Sequence, residues 1–180
     1  MRLRISLLIA VVPPLLACAS QPPPVGGGAS PATPEAAARA VPVRDTAGRG
    51  ATLADVLGGR PGLVNLWAPW CEPCVRELPA LERLSRAVTP CGGAVVGVAV
   101  GEKPESIAAF TRTRALTYPQ LTDEPFTLAD ALGQRRIPAT LVFDRAGRVV
   151  YMGDALDARA TQALSRTLAE APQAKLCELP

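Results

Sequence analysis

The distribution of apolar residues predicts buried strands flanked by amphipathic helices. Residues 63–68 and 94–100 form two runs that are almost entirely apolar, which is typical of strands buried on both faces of a sheet. Between these runs, apolar residues recur at steps of three and four, the period of one helix face. They are Val75, Leu78, Leu81, Leu84 and Val88. The centre of the chain is therefore predicted to fold as strand, helix and strand.

Capping and turn residues place shorter elements on both sides of this centre. Upstream, residues 41–45 predict a strand, and Thr52 is expected to cap a helix over residues 53–57 that Gly58 ends. Asp157 is expected to cap the last helix. The downstream elements are helices over residues 102–114, 126–132 and 158–169 and strands over residues 118–121, 141–143 and 148–152. This alternation of strands and helices favours an α/β fold class.

The start of the chain predicts export. A short basic start precedes an apolar run over residues 5–16, which is too short to span a bilayer and is typical of a signal peptide over residues 1–17. The run ends in Leu-Leu-Ala-Cys, which resembles a bacterial lipobox and implies lipidation of Cys18 and attachment to a membrane. An ordinary secretory signal, with Cys18 incidental, is the alternative. Both interpretations export the chain.

A tether is predicted between the lipidated cysteine and the folded domain. Residues 18–40 are rich in Pro, Gly and Ala and hold almost no large apolar side chain. Such a segment buries too little surface to fold, so it is predicted to be disordered. The domain itself is expected over residues 41–171, followed by a tail over residues 172–180.

Two cysteines stand at the start of the long central helix. Cys71 and Cys74 are separated by two residues, and a helix N-terminus favours a negative charge, which stabilises a thiolate. Cys74 lies one helical turn along, where it can attack a mixed disulfide formed on Cys71, so the pair predicts a dithiol–disulfide switch. Zinc sites use the same spacing but need two more ligands, whereas this chain has no histidine and only single cysteines elsewhere. No metal or other cofactor is therefore expected.

The residues around these cysteines resemble a known family. Residues 70–74, Trp-Cys-Glu-Pro-Cys, resemble the thioredoxin active site, and the longer run over residues 65–79 is similar to the TlpA/ResA branch of extracytoplasmic thiol–disulfide oxidoreductases. The resemblance covers residues 41–169. It implies a thioredoxin-like fold, in which a central mixed β-sheet is flanked by helices and carries an N-terminal β-hairpin extension and a central insert.

The resemblance also implies a substrate-binding loop. Residues 137–140, Ile-Pro-Ala-Thr, resemble the cis-proline loop of the thioredoxin family. A cis X–Pro bond is uncommon and usually purposeful. The resemblance implies that Pro138 is cis, lies beside the cysteines and, together with Trp70 and Ile137, binds an extended substrate.

A glutamate is the third candidate catalytic residue. Glu77 stands where the ResA-like branch carries a glutamate that tunes the cysteines, and its position one turn from Cys74 suits assistance of deprotonation. Asn65 occupies the position at which cytoplasmic thioredoxins carry a buried, proton-transferring aspartate, so Glu77 is the expected substitute. A solvated carboxylate that pairs with Arg76 or Arg83 is the alternative.

The remaining two cysteines are predicted to form a structural disulfide. In a thioredoxin fold, the helix after the catalytic cysteines and the final helix cover the same sheet face and run away from the active site. Cys91 follows the first of these helices and Cys177 follows the second, so the resemblance implies that both lie near the opposite end. An exported compartment permits a bond between them. Two free thiols, or a second redox relay, are the alternatives.

Composition narrows the function further. The net charge is only +3 and the basic residues are scattered, so nothing indicates a nucleic-acid partner. The resemblance implies a reductant of protein disulfides, such as the haem-attachment cysteines of apocytochrome c, supplied with electrons by a membrane thiol–disulfide donor. The acids Glu72 and Glu77 favour a reductant because they raise the cost of a thiolate. A copper-site assembly factor is the alternative, since thiolates suit Cu(I), and an inert tethered binding module is the third.

Overall fold

A computed structural model describes residues 34–170 of the 180-residue chain. The strands of this part are β1 Val43–Asp45, β2 Gly50–Ala51, β3 Gly62–Trp67, β4 Ala94–Val100, β5 Gln120–Asp123, β6 Ala139–Phe143 and β7 Val149–Gly153. The helices are α1 Pro34–Arg39, α2 Leu53–Leu57, α3 Glu72–Val88, α4 Pro104–Thr113, α5 Thr127–Ala131 and α6 Ala158–Ala169. A short 3₁₀ turn, Thr89–Cys91, follows α3.

The strands form one mixed sheet in the order β2-β1-β5-β4-β3-β6-β7. The central strand β3 pairs in parallel with β4 and antiparallel with β6, and this register places Asn65 opposite Thr140. At the other side, the β1–β2 hairpin joins the sheet because β1 pairs antiparallel with β5. The predicted mixed sheet with an N-terminal hairpin and a central insert is confirmed.

Every residue of β3 is buried, and its side chains alternate between two hydrophobic cores. Leu63 and Trp67 pack with residues of α3, α4 and α6 on one face of the sheet. Val64 and Leu66 pack with residues of α1, α2 and α5 on the other face. A strand buried on both sides explains why this run is almost wholly apolar. It also fixes the point at which the chain enters α3.

Side-chain caps set the helix boundaries where the sequence predicted them. The Thr52 hydroxyl accepts a hydrogen bond from the Asp55 N–H at 3.1 Å, and the Asp55 carboxylate accepts one from the Thr52 N–H at 3.0 Å. Gly58 ends α2 with a φ of 57°, a conformation that suits glycine. At α6, the Asp157 carboxylate accepts from the Ala160 N–H at 2.8 Å.

The prediction of a disordered tether is wrong for the last residues of that segment. Residues 34–39 form α1, and Ala38 is 1% exposed within the second core. At the end of this helix, a Cβ on Gly147 would collide with the Arg39 guanidinium, so Arg39 lies directly on the β6–β7 turn. The segment has few apolar residues, and for that reason it was predicted to be disordered. It folds nevertheless, because α1 packs against α5 and its small residue Ala38 joins the second core.

The fifth strand lies two residues later than predicted. Residues 118–121 were the expected strand, whereas β5 spans Gln120–Asp123 and is buried throughout although it is rich in polar residues. Those side chains are hydrogen-bonded internally: Gln120 Oε1 accepts from Trp67 Nε1 at 3.0 Å, and Asp123 Oδ2 accepts from the Ala129 N–H at 2.8 Å. Buried polar groups with partners are compatible with a core strand.

Several predictions fall on parts of the chain outside residues 34–170. These are the signal peptide over residues 1–17, lipidation of Cys18, the tether as far as residue 33, Cys177, and the tail over residues 172–180. Within residues 34–170, no helix combines the length and the apolar character that crossing a membrane requires.

Candidate active site

Cys71 is the N-cap of α3. The chain leaves β3 at Trp67, turns, and presents the Cys71 sulfur to the first turn of the helix, where Sγ accepts a hydrogen bond from the Cys74 N–H at 3.3 Å. A Pro in the first helical turn loses no hydrogen bond, because the first N–H groups of a helix have no intrahelical partner. The Cys71 sulfur therefore lies where backbone N–H groups and the helix dipole stabilise a thiolate.

Cys71 and Cys74 form a disulfide bond with a Cα–Cα distance of 5.3 Å. The two cysteines differ in exposure: Cys71 is 7% exposed and Cys74 is fully buried. An incoming sulfur can therefore reach only Cys71, while Cys74 lies behind it. This asymmetry is compatible with attack on a substrate by Cys71 and resolution by Cys74, and these two roles stay a prediction.

The Ile137–Pro138 peptide bond is cis, as predicted. Ile137 packs against the core that contains both cysteines, and it lines the same surface cavity as Trp70, the residue before Cys71. The structure thus brings Trp70, Ile137 and the cysteine pair together, with Pro138 next in the chain. Trp70 is 66% exposed, which leaves its ring open to a ligand. Substrate binding by these three residues stays a prediction.

Glu77 lies on α3, one turn beyond Cys74, with its carboxylate turned toward the loop before α6. Its Oε1 accepts a hydrogen bond from the Leu156 N–H at 3.1 Å, whereas Oε2 is buried and has no hydrogen-bond partner within residues 34–170. Burial raises the pKa of this carboxyl. The hydrogen bond from Leu156 acts in the opposite direction, and the nearby Asp154 charge raises the pKa further. Arg76 pairs with Glu72 instead, so the alternative of a Glu77–Arg76 pair is wrong. The catalytic role of Glu77 stays a prediction.

Asn65 occupies the middle of β3 and is fully buried. Its Nδ2 donates to Thr140 Oγ1 at 3.2 Å across the β3–β6 ladder, while its Oδ1 is buried and accepts no hydrogen bond from the described part of the chain. A neutral amide does not titrate. Of these two side chains, only Glu77 carries an acidic group.

Three residues beside the site were not identified from the sequence. Phe126 precedes α5 with a φ of 62°, and its side chain is 45% exposed. Arg135 and Arg136 lie on the loop between α5 and β6, directly before Ile137. Two adjacent arginines before an Ile-Pro pair were the one available sign. The positive φ of Phe126 could not be expected from its residue type, since bulky residues rarely adopt a positive φ.

The other cysteine and metal predictions have different outcomes. Cys91 is disulfide-bonded, and its predicted partner, Cys177, lies outside the described residues, so the pairing stays a prediction. Within the described part of the chain, no group of three or more His, Cys, Asp or Glu side chains is arranged to hold a metal ion. The Met152 sulfur accepts a hydrogen bond from Gln134 Nε2 at 3.0 Å.

Comparison with known sequences identifies the family. A family model described as the AhpC/TSA family matches residues 34–152. The chain belongs to the AhpC/TSA family. The match begins at the first residue of α1, in agreement with the place of this helix in the fold.

Within the AhpC/TSA family, this chain is similar to proteins named thiol-disulfide oxidoreductase ResA. The ResA of Geobacillus thermodenitrificans is 31% identical over 105 residues, which are 58% of this chain and 60% of that protein. The ResA of Bacillus subtilis is 30% identical over 108 residues, 60% of each chain. The matched region therefore spans about three fifths of the length of these relatives.

Solved structures support the fold. A structure described as a secreted thiol-disulfide isomerase from Corynebacterium glutamicum superposes with a TM-score of 0.64 at 23% identity, and covers 72% of this chain and 84% of that one. At this identity the likeness concerns the fold alone. It confirms the thioredoxin-like arrangement of this AhpC/TSA family member.

Proposed function

We propose that this protein is an extracytoplasmic thiol–disulfide oxidoreductase that reduces disulfide bonds in other proteins. The observation that carries the proposal is the Cys71–Cys74 disulfide at the N-terminus of α3, with Cys71 as the accessible sulfur and Cys74 behind it. The similarity to ResA, named a thiol-disulfide oxidoreductase, supports the same chemistry.

The reaction follows from the exposure of the two sulfurs. In the reduced protein, the Cys71 thiolate attacks one sulfur of a substrate disulfide, so a Cys71–substrate bond forms and the other substrate sulfur leaves and takes up a proton. Cys74 then loses its proton and attacks the Cys71 sulfur. This releases the second substrate thiol and closes the Cys71–Cys74 bond. Two electrons pass to the substrate, and a membrane thiol–disulfide donor restores the protein dithiol.

Glu77 is proposed as the group that assists Cys74. Its carboxylate is half-buried on the same helix, one turn beyond Cys74, and one of its oxygens has no hydrogen-bond partner among the described residues. Burial raises its pKa, so it is a better proton acceptor than an exposed glutamate. Cys74 needs such help because it is fully buried, and burial disfavours its thiolate.

The proposed location is the outer side of the cell membrane, with a lipid on Cys18 as the anchor. The sequence of residues 1–18 supports export and lipidation. The proposed substrates are disulfide-bonded proteins such as apocytochrome c with oxidised haem-attachment cysteines. The resemblance of residues 65–79 to the TlpA/ResA branch supports this role in cytochrome c maturation.

Replacement of the resolving cysteine tests the proposed activity. We expect Cys74→Ala to accumulate mixed disulfides between Cys71 and exported proteins, because the second attack is removed while the first is kept. The measurement is non-reducing electrophoresis of the isolated variant, followed by mass spectrometry of the partners that a reductant releases.

The matched control is Cys71→Ala, which keeps Cys74 but leaves the buried sulfur as the only member of the pair. It should trap essentially nothing. If both variants trapped the same partners, or if neither trapped any, the assignment of roles and the proposed exchange would be contradicted.

The copper-site alternative stays a prediction. A Cu(I) titration of the reduced protein, monitored by competition with a chelator, separates it from the reductase. Copper handling requires stable binding by the Cys71 and Cys74 thiolates, whereas the reductase requires only electron transfer.

A further inference from the structure

The loop between β5 and α5 presents Phe126 at a cavity next to the reactive cysteine. This cavity has a volume of about 360 Å³, and it is lined by Phe126, Trp70 and Ile137 among others. We call it the aromatic cavity. Trp70 directly precedes Cys71 in the chain. A polypeptide whose disulfide reaches Cys71 therefore passes beside the aromatic cavity.

Few large apolar side chains are exposed in this molecule. Among residues 34–170, four are largely exposed: Trp70, Phe126, Val150 and Met152. Trp70 and Phe126 are 66% and 45% exposed, and these two line the same cavity. A single exposed apolar side chain is ordinary, whereas adjoining ones mark surfaces that bind other molecules. The pairing of the two rings at one cavity is therefore the feature to explain.

The backbone of Phe126 has an unfavourable conformation. Its φ is 62°, in the left-handed region that a bulky residue rarely adopts. Glycine adopts this region without steric cost, so the turn itself does not require a phenyl ring. Residues held in such conformations cluster at functional sites, where the surrounding structure fixes them.

The surrounding structure fixes Phe126 through Asp123. The backbone oxygen of Asp123 accepts hydrogen bonds from the N–H of Gly101 at 3.0 Å and of Phe126 at 3.2 Å. Its buried carboxylate accepts from the Thr127 hydroxyl at 3.3 Å and from the Ala129 N–H at 2.8 Å. The ring also lies on Gly101, because a Cβ at that position would be only 2.7 Å from Phe126 Cζ. The ring is thus a fixed wall of the aromatic cavity.

The walls of the cavity define the chemistry of its occupant. Asp130, Arg135 and Arg136 also line it, so charges of both signs are present and select neither sign. The two rings do select a property, since an apolar group gains free energy by leaving water for the space between them. Aromatic rings bury a large apolar area, so they favour a large apolar side chain over a small or polar one.

We propose that Phe126 is a specificity residue that, together with Trp70, binds a large apolar side chain of the polypeptide whose disulfide is reduced. This inference rests on the proposed reductase function and names a property of its substrates. The occupant is a side chain such as phenylalanine or leucine, within a few residues of the disulfide. Continuity of the aromatic cavity with the Trp70–Cys71 segment favours this occupant over a second copy of the chain.

The test compares peptides that each contain one intramolecular disulfide. They differ only in one residue near the disulfide, which is Phe, Leu, Ala or Ser. The rate constant with purified, reduced protein is measured below saturation and divided by the rate constant with dithiothreitol, so that the intrinsic reactivity of each disulfide cancels. Bis(2-hydroxyethyl) disulfide has no large side chain and serves as the reference that reports on the dithiol alone.

We expect the Phe and Leu peptides to react about tenfold faster than the Ala and Ser peptides, because their side chains leave water between the two rings. Phe126→Gly should reduce this preference to less than about twofold, since one wall is lost. Phe126→Tyr should keep most of the preference because the ring is retained. Added salt should not weaken the preference, since salt screens charges and not apolar contacts.

Phe126→Gly removes the ring without opposing the backbone, because glycine tolerates the positive φ. Thermal denaturation checks that the variant is folded, and Phe126→Tyr provides the same test with a side chain of nearly unchanged size. The matched control is Val150→Ala. Val150 is 47% exposed on β7 and does not line the aromatic cavity, so this control should keep the full preference.

Equal rates with the Phe and Ser peptides in the unmodified protein would overturn the inference, as would a full preference in Phe126→Gly. An equal loss in Val150→Ala would do so too, because the effect would then be one of general surface hydrophobicity. Sedimentation velocity tests the other occupant: a dimer that Phe126→Gly abolishes would assign the cavity to a second copy and contradict the inference. If even the reference disulfide were not reduced, the proposed function itself would fail, whereas reduction of every substrate at one rate contradicts the inference alone.

Discussion

Glu77 is a residue whose charge is unfavourable for the fold. Burial raises the pKa of its carboxyl. A raised pKa means that the folded state binds the proton more tightly than the unfolded state. Its contribution to stability is therefore fully present below the unfolded pKa of about 4.3 and is lost as the pH rises through the higher folded value. At neutral pH, the ionised carboxylate lowers the free energy of unfolding.

We expect Glu77→Gln to raise the free energy of unfolding at pH 7 by less than about 1 kcal/mol, because the group is half-exposed and solvent screens its charge. The amide oxygen still accepts the Leu156 N–H. The gain should vanish as the pH is lowered below the unfolded pKa of the acid. Urea denaturation at several pH values measures this difference.

The same variant should slow the reaction of the resolving cysteine, because the proposed proton acceptor is gone. Stopped-flow measurement of mixed-disulfide resolution gives that rate. Glu72→Gln is the matched control: Glu72 lies on the same helix but is exposed and paired with Arg76. If both variants changed the rate alike, a general charge effect would replace the specific role of Glu77.

At the residue scale, the sequence predicted the position of those residues that is determined by local structure. Cys71 and Cys74 fall at the N-terminus of a helix because an apolar strand and an amphipathic helix meet there. Phe126 could not be identified in this way. Its exposure depends on a positive φ and on contact with Gly101, and both result from tertiary packing rather than from residue type.

At the scale of elements, α1 shows how little apolar surface a short helix needs once a partner is present. Its six residues would be unstable as an isolated helix, because helix nucleation is costly. Packing of Ala38 in the second core and of Arg39 on the β6–β7 turn supplies the missing stabilisation. The composition of a segment does not show which other elements it packs against. The sequence therefore predicted a disordered tether here.

A pair of substitutions on α1 tests this part of the fold. We expect Ala38→Asp to lower the free energy of unfolding by about 2–3 kcal/mol, because a charge is placed in an apolar core. Ala37→Asp, one residue earlier on the exposed side of the same helix, should change it by less than about 0.5 kcal/mol. Thermal and urea denaturation of both variants provide the comparison. If both substitutions had equal, negligible effects, the packing of α1 would be contradicted and the prediction of a disordered tether here would be restored.

The boundaries of the other elements could be predicted only where neighbouring residues determine them. The ends of α2 and α6 were predicted because Thr52, Gly58 and Asp157 are local caps. The register of β5 was not, since Gln120 and Asp123 are buried through hydrogen bonds to other elements, from Trp67 of β3 and from Ala129 of α5. Apolar patterning cannot register a strand whose polar side chains are satisfied by other elements.

At the scale of the whole molecule, the direction of electron flow depends on the balance of charges around the dithiol. The Cys74 N–H lies where it stabilises a thiolate on Cys71, whereas an ionised carboxylate at Glu77, one turn beyond Cys74 on α3, would oppose a thiolate on Cys74. The chain has no histidine, so no imidazolium adds to the stabilisation. A well-stabilised thiolate is what makes the strongest disulfide oxidants oxidising. The weaker stabilisation here favours a reductant.

We therefore expect a reduction potential near or below about −270 mV, the value for thioredoxin. Equilibration of the protein with redox buffers, followed by alkylation of free thiols, gives the potential. A variant with both Cys71→Ala and Cys74→Ala corrects for the other cysteines. A potential near about −120 mV would contradict the assignment as a reductant and indicate disulfide formation instead.

The Cys71–Cys74 bond joins residues only three apart in the chain. Closing so small a loop removes little freedom from the unfolded chain, about 2 kcal/mol by the loop-entropy relation. The predicted Cys91–Cys177 bond would enclose more than eighty residues and contribute about 4–5 kcal/mol by the same relation. Opening and closing the reactive bond in each catalytic cycle thus changes only the smaller of these two contributions, so most of the stabilisation expected from cross-links is independent of turnover.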